Sequence, residues 1–175
     1  DPYRLMPKVE IYGGPLAFPS ISVNDITIHS SLQFHSYFSE YLMPDYCITT
    51  IFVQPNKTFE VIEEDVNSPL HPFSIMINAS IKNPVGTGFT CASSQQIVLH
   101  NTAFSRAMDL YWMNEVRGSR FEDVRMQYDE KTHREIWHLL EESQESVSEY
   151  KYDKALSLSC QAWSLARTLN ADLRT

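Results

Sequence analysis

The 175-residue sequence has little glycine and no long uninterrupted hydrophobic run. Only five glycines are present and charged residues make up 21% of the chain, a composition that excludes collagen-like and disordered proteins. No stretch approaches the run of about 18 apolar residues that a membrane-spanning helix needs. A basic segment followed by an apolar run is also absent, so the sequence predicts no signal peptide.

Cysteine is scarce as well. The three cysteines, Cys47, Cys91 and Cys160, are odd in number and far apart in the chain. Their spacing matches neither a zinc site nor a redox pair, so we expect no metal and no cofactor. Free thiols are typical of a reducing compartment, and the sequence therefore predicts a cytoplasmic location.

Positive charge is limited, with 14 Lys and Arg against 22 Asp and Glu and a formal net charge of −8. Nucleic acids and anionic membranes are bound by clustered Lys and Arg, so neither is an expected partner. Charge of either sign is almost missing between Val66 and Ser105, where Lys82 is the only charged residue. An average composition would place about ten charges there. We expect a core sheet in this stretch, with a surface covered by another subunit as the alternative.

Motifs for nucleophilic, phosphate-binding and metal chemistry are missing. The sequence has no Gly-x-Ser-x-Gly and no phosphate-binding loop with Lys followed by Ser or Thr. His133 and His138 would lie about 140° apart around a helix and could not share one zinc ion. Glu130 and Glu135 each precede one of these histidines by three residues, which we interpret as surface pairs. We predict no catalytic residue.

Short β-like segments dominate the first 128 residues. Residues 8–12 read as a strand, and residues 21–28 as a hairpin around Asn24-Asp25. Two further hairpins are predicted, one joining 46–54 to 58–65 and one joining 73–81 to 89–99.

Two helices are expected among these strands. The spacing of the aromatic and leucine residues at 34, 37, 38, 41 and 42 predicts the first. The second begins after Asn101 or Thr102 and ends near Gly118.

The remainder of the chain predicts two longer helices, over about 131–149 and 153–169, the second capped by Asp153. The segment from Tyr152 to Ala162 resembles the second helix of a tetratricopeptide repeat, and Trp137-x-x-Leu140 resembles the first. Such arrays need about three copies and only one is present, so the resemblance implies just an antiparallel helix pair packed through small residues.

These elements together predict an α+β fold: a mainly antiparallel sheet or small sandwich of β-hairpins with two packed helices, followed by a C-terminal antiparallel helical hairpin. The expected domains are an α+β core over 1–128 and the helical hairpin over 129–175, packed on the core or on a partner.

The last predicted helix is apolar on two sides, which one neighbouring helix cannot cover. We therefore expect a non-enzymatic interaction or assembly protein whose partner is a protein, most simply a second copy of itself. The interface candidates are Leu156, Cys160, Trp163 and Trp137.

A small ligand-binding protein or enzyme with an apolar pocket between sheet and helices is the alternative. Its lining would come from Tyr37, Tyr41, Phe73, Met76 and Tyr111. His71 or His100 would act as the acid or base, because imidazole titrates near neutral pH.

Overall fold

The computed structural model describes residues 8–13, 20–27, 33–39, 47–64, 73–99, 101–121 and 129–173. Strands come first and helices last, which confirms the predicted α+β class. The strands are β1 (Lys8–Gly13), β2 (Ser20–Asp25), β3 (Gln33–Ser39), β4 (Cys47–Val53), β5 (Thr58–Glu64), β6 (Phe73–Met76), β7 (Phe89–Thr90) and β8 (Gln96–Leu99). The helices are α1 (Thr102–Phe121), α2 (Glu130–Ser148) and α3 (Tyr152–Asp172).

The chain divides into two compact units, which we call the β unit and the helical unit. The β unit comprises Asp1–Asn78 and Thr87–Thr102. The helical unit comprises Ala79–Gly86 and Ala103–Thr175, so that it groups α1 with the two later helices. The division into domains at residue 128 stays a prediction.

Two sheets share the core of the β unit. The first has the strand order β3-β4-β1-β8, and all its pairs are antiparallel except β1 with β8. The second has the order β2-β5-β6, with β7 also paired to β5. Both sheets contribute to one cluster of buried residues, namely Val23, Ile51, Val53, Phe59, Val61, Met76, Cys91 and Leu99. Buried Ile51 and Val53 flank half-buried Phe52, the alternation expected of a strand with one face on the core.

The first predicted helix, over 34–42, is wrong. Residues 33–39 form β3, which pairs antiparallel with β4. Phe34, Tyr37 and Phe38 suit a strand as well as a helix, since aromatic residues favour both half-buried surfaces. An isolated helix of about nine residues is marginal, whereas pairing with β4 supplies hydrogen-bond partners along one side of β3.

The hairpin predicted from 46–54 and 58–65 is also wrong, although both strands exist. β4 pairs with β1 and β3, whereas β5 pairs with β2, β6 and β7 in the other sheet. At the turn between them, Asn56 has a left-handed φ of 58°, and its N–H donates to the carbonyl of Cys91 at 2.9 Å. The turn therefore passes the chain from one sheet to the other.

The remaining two predicted hairpins are wrong for a related reason. Residues 20–25 form one uninterrupted strand, β2, which pairs with β5. β6 and β7 do not pair with each other. Met76 pairs with Val61 and Phe89 with Phe59, so both strands use β5 as their neighbour.

The loop over 77–88 connects β6 to β7. At its end Gly88 has a φ of 71°, and a Cβ there would lie 2.7 Å from Thr58 Cγ2 and 2.9 Å from the Phe59 carbonyl oxygen. The charge-poor stretch from Val66 to Ser105 thus contains both buried and exposed residues. Met76, Cys91 and Leu99 are buried, whereas Ile81 and Val85 are each 74% exposed.

The three later helices match their predicted positions to within about three residues. Asp129 caps α2 by accepting from the Thr132 N–H at 3.1 Å. The predicted capping role of Asp153 is wrong, because α3 begins at Tyr152 and Asp153 lies within its first turn. Within the helical unit, the N–H of Ala79 donates to the buried Asp109 at 2.6 Å and connects the 79–86 segment to α1.

The antiparallel packing of α2 on α3 confirms the predicted helical hairpin. Ser143 Oγ of α2 lies 2.8 Å from Ser159 Oγ of α3, and both hydroxyls donate to the carbonyl of Ala155 or to each other. Small residues at this contact let the two helices approach closely. The Lys154–Glu142 ion pair, at 2.7 Å, lies at the same end of the hairpin.

α1 packs on α3 as well. Asn114 is fully buried, donates to the Ala166 carbonyl at 3.0 Å and accepts from Asn170 Nδ2 at 2.7 Å. Neighbouring helices of the same chain thus cover a large part of α3, the helix predicted to be apolar on two sides. The part that they leave open is the candidate site.

Candidate interaction surface on the helical unit

One line of side chains runs along α3 beside its buried face, and we call it the outer stripe. Its members recur every three or four residues and so share one side of the helix. The stripe consists of Tyr152, Leu156, Cys160, Trp163 and Arg167. Tyr152 is 61% exposed, Cys160 is exposed, and the other three are half-buried.

α1 packs beside the C-terminal part of the outer stripe and contacts it at Trp163. Arg106 of α1 stacks on the Trp163 ring at 5.0 Å from its centroid, and Asn114 reaches Asn170. Arg106 precedes Asn114 on α1, and their partners Trp163 and Asn170 follow the same order on α3. The two helices therefore run in the same direction. α1 begins at Thr102, four residues before Arg106, and the first turns of α3 therefore extend past the start of α1.

Two arginines contact the indole ring of Trp163. Arg167 stacks on the same indole ring, with its guanidinium carbon 5.3 Å from the centroid. Burial lowers the pKa of Arg106 to about 10, and Cys160 has a smaller opposing effect. Partial burial raises the pKa of the Cys160 thiol, and Arg106 opposes that shift.

The turn between α2 and α3 has an unusual residue at its centre. Tyr150 has a φ of 61°, and the N–H of Lys151 donates to the Ser146 carbonyl at 2.8 Å. This is the Schellman arrangement, in which the left-handed position is usually glycine. Tyr150 lies beyond the end of α2 and is 79% exposed.

Tyr150 is part of an exposed apolar group that we call the turn patch, made of Val147, Tyr150 and Tyr152. The two tyrosine rings meet edge to face with centroids 6.4 Å apart. Tyr152 belongs to both the turn patch and the outer stripe, so the two form one continuous surface.

Trp137, the fourth predicted interface residue, lies on α2. Its ring packs 5.0 Å from that of Tyr111 and 5.8 Å from that of Trp112, both on α1. Trp137 thus belongs to an aromatic cluster that joins α1 to α2.

His133 lies in the same cluster. Its ring stacks on Tyr111 with centroids 4.0 Å apart, and its Nε2 lies 2.6 Å from Oε2 of Glu115. Burial lowers the pKa of His133, and the Glu115 carboxylate opposes this shift. Burial raises the pKa of the Tyr111 hydroxyl, with smaller contributions from Glu115 and Glu141. The expected surface pairing of His133 is wrong, because its carboxylate comes from another helix and no local spacing signals it.

The pocket candidates are spread over both units and beyond the described residues. Tyr41, His71 and His100 lie outside those residues. Tyr37 is on β3 and Phe73 on β6, while Met76 is fully buried in the sheet core. Tyr111 belongs to the helical unit and Met76 to the β unit. The pocket stays a prediction.

The described part of the chain contains no group of three or more His, Cys, Asp or Glu side chains placed to hold a metal ion. None of its helices combines the length and the apolar character needed to cross a membrane.

No family model matches the chain, and neither the curated proteins nor the solved structures contain a match.

Proposed function

We propose that this chain is a non-enzymatic interaction or assembly protein that binds a protein partner through the outer stripe and the turn patch. A second copy of the chain is the simplest partner. The proposal includes an intracellular, reducing location, which suits an exposed free thiol such as Cys160.

The conformation of Tyr150 is the observation that carries this proposal. A bulky residue at a left-handed φ costs about 1–2 kcal/mol, and glycine would remove that cost. The Tyr150 ring gains little stabilisation from its own chain, because it is 79% exposed and its ring contact among the described residues is with Tyr152. Strained residues of this kind concentrate at functional positions. We therefore assign the ring to a contact outside its own chain.

The composition of the surface supports the same conclusion. Tyrosine, tryptophan and arginine dominate the binding energy of protein interfaces. All three types occur in the outer stripe, where Tyr152 is exposed and Arg167 stacks on Trp163. Leu156 and Cys160 between them provide an apolar centre.

The test is to measure mass in solution by light scattering for the wild type and for Tyr150→Gly over a range of concentrations. Wild type should exceed the 20.2 kDa mass of one chain. Tyr150→Gly should shift the distribution toward the monomer while stabilising the helical unit by about 0.5–1 kcal/mol, because the strain is relieved. Weakened association in a more stable variant cannot come from unfolding.

Ile81→Ser is the matched control, since it removes a similarly exposed apolar side chain from another segment of the helical unit. Its association should equal that of the wild type. Unchanged association of Tyr150→Gly would contradict the proposal, as would a wild type that stays monomeric at every concentration.

A further inference from the structure

We propose that the outer stripe binds the outer stripe of a second copy, with the two α3 helices antiparallel. In this arrangement Cys160 faces the second copy's Cys160, and Asp153 of each copy lies opposite Arg167 of the other. The inference rests on the proposed function and specifies its partner and geometry.

Charge complementarity is the first argument. Asp153 and Arg167 lie seven residues before and after Cys160, which is about two helical turns in each direction. A two-fold axis at Cys160 therefore brings each carboxylate opposite a guanidinium. The contact closes on itself, as expected for a symmetric dimer.

The local ion pairs leave these two groups available. Lys154 is paired with Glu142 and Lys151 with Glu149, each at 2.7 Å. Within the described ranges, neither Asp153 nor Arg167 has an oppositely charged group within 4.0 Å. Asp153 is exposed, and Arg167 is oriented by stacking on Trp163.

The side chains between the charges allow close packing. An antiparallel pairing about Cys160 places Leu156 opposite Ser164, and Trp163 opposite Ser157 of the other copy. Each large residue then meets a small one, and both serines are exposed in the single chain. Antiparallel helix dipoles add a small favourable contribution.

Oxidative cross-linking tests the position of the axis. The full chain is treated with copper(II) phenanthroline, which takes two electrons as two Cys160 thiols lose their protons and form one disulfide. We expect a covalent dimer of twice the 20.2 kDa chain mass from the wild type. Cys160→Ser should give none, and Leu156→Lys should give several-fold less because its charge interrupts the apolar centre.

A charge exchange tests the pairing. Arg167→Glu and Asp153→Arg should each weaken self-association by about tenfold, since each creates two like-charge contacts per dimer. The double variant Asp153→Arg/Arg167→Glu should recover most of the loss. Glu135→Arg on α2 is the control, because it reverses an exposed charge off the stripe and should change nothing. Melting temperatures of all four variants confirm folding.

The outcomes separate this inference from the proposed function. If Tyr150→Gly weakens association but the double variant does not recover and Cys160 does not cross-link, the surface binds in another way and the antiparallel pairing is overturned. If an acidic peptide binds at Arg167 and a second copy of the chain does not, the antiparallel pairing is overturned as well. A wild type that is monomeric at every concentration overturns both proposals.

Discussion

The two units of this protein each have an apolar core but differ in the polar side chains that they bury. In the β unit the buried polar residues among those described are Glu60 and Thr102. The helical unit buries more of them between its helices, among them Asn114, His133 and Ser143. Strand register is already fixed by backbone hydrogen bonds, whereas helices satisfy their backbone internally and can slide. Buried side-chain hydrogen bonds therefore fix the register between the helices, as backbone hydrogen bonds fix the register between the strands.

The largest expected effect comes from the apolar core. Phe59 is fully buried, pairs with Phe89 across the sheet edge and stacks on its ring at 5.9 Å. Phe59→Ala should destabilise the β unit by about 3–5 kcal/mol, measured by urea unfolding. Phe59→Leu, which keeps most of the volume, should cost about 1 kcal/mol. A similar loss in both variants would show that the core is loosely packed.

The polar contact between α1 and α3 should have the next largest effect. Asn114→Ala removes one hydrogen bond to Ala166 and one from Asn170, and should destabilise the helical unit by about 2–3 kcal/mol. Asn170→Ala should then add little in that background, because its partner is already missing. Thermal unfolding of both single variants and the double variant measures the coupling. Fully additive losses would mean that the pair does not set the helix register.

The smallest effect should come from His133 and should depend on pH. Burial lowers its pKa in the folded state, so the unfolded chain binds a proton more readily. The helical unit should therefore lose stability as the pH falls below the ordinary histidine value of about 6.5. His133→Gln, which can still donate to Glu115, should remove that pH-dependent part between pH 7 and 5. An unchanged slope in urea unfolding would assign the acid sensitivity to other groups.

The same contrast explains what could be predicted from the sequence. α1, α2 and α3 were predictable because each repeats its apolar pattern over several turns. β4 and β5 were predictable as strands but not as members of different sheets, since pairing depends on residues distant in the chain. Residues 33–39 suited both the helical and the strand periodicity, and only pairing with the neighbouring strand decides between the two.

The candidate surface was predictable in part. The spacing of Leu156, Cys160 and Trp163 along α3 alone identified them as candidates. The structure adds where α1 packs beside the outer stripe. The conformation of Tyr150 was not predictable, because an exposed tyrosine at a left-handed position violates the local preference that favours glycine there. The contact between His133 and Glu115 joins two helices and has no local signal either.

The 79–86 segment has a consequence for dissecting this chain. It belongs to the helical unit although the residues on both sides of it belong to the β unit, so the backbone passes between the units three times. A single protease cut after Thr102 would therefore leave one piece of the helical unit covalently attached to the β unit. A fragment beginning at Ala103 would contain all of α2 and α3 but would lose the Ala79 N–H that donates to Asp109. The helical unit is a spatial unit assembled from two pieces of chain, and expression boundaries drawn at α1 would separate them.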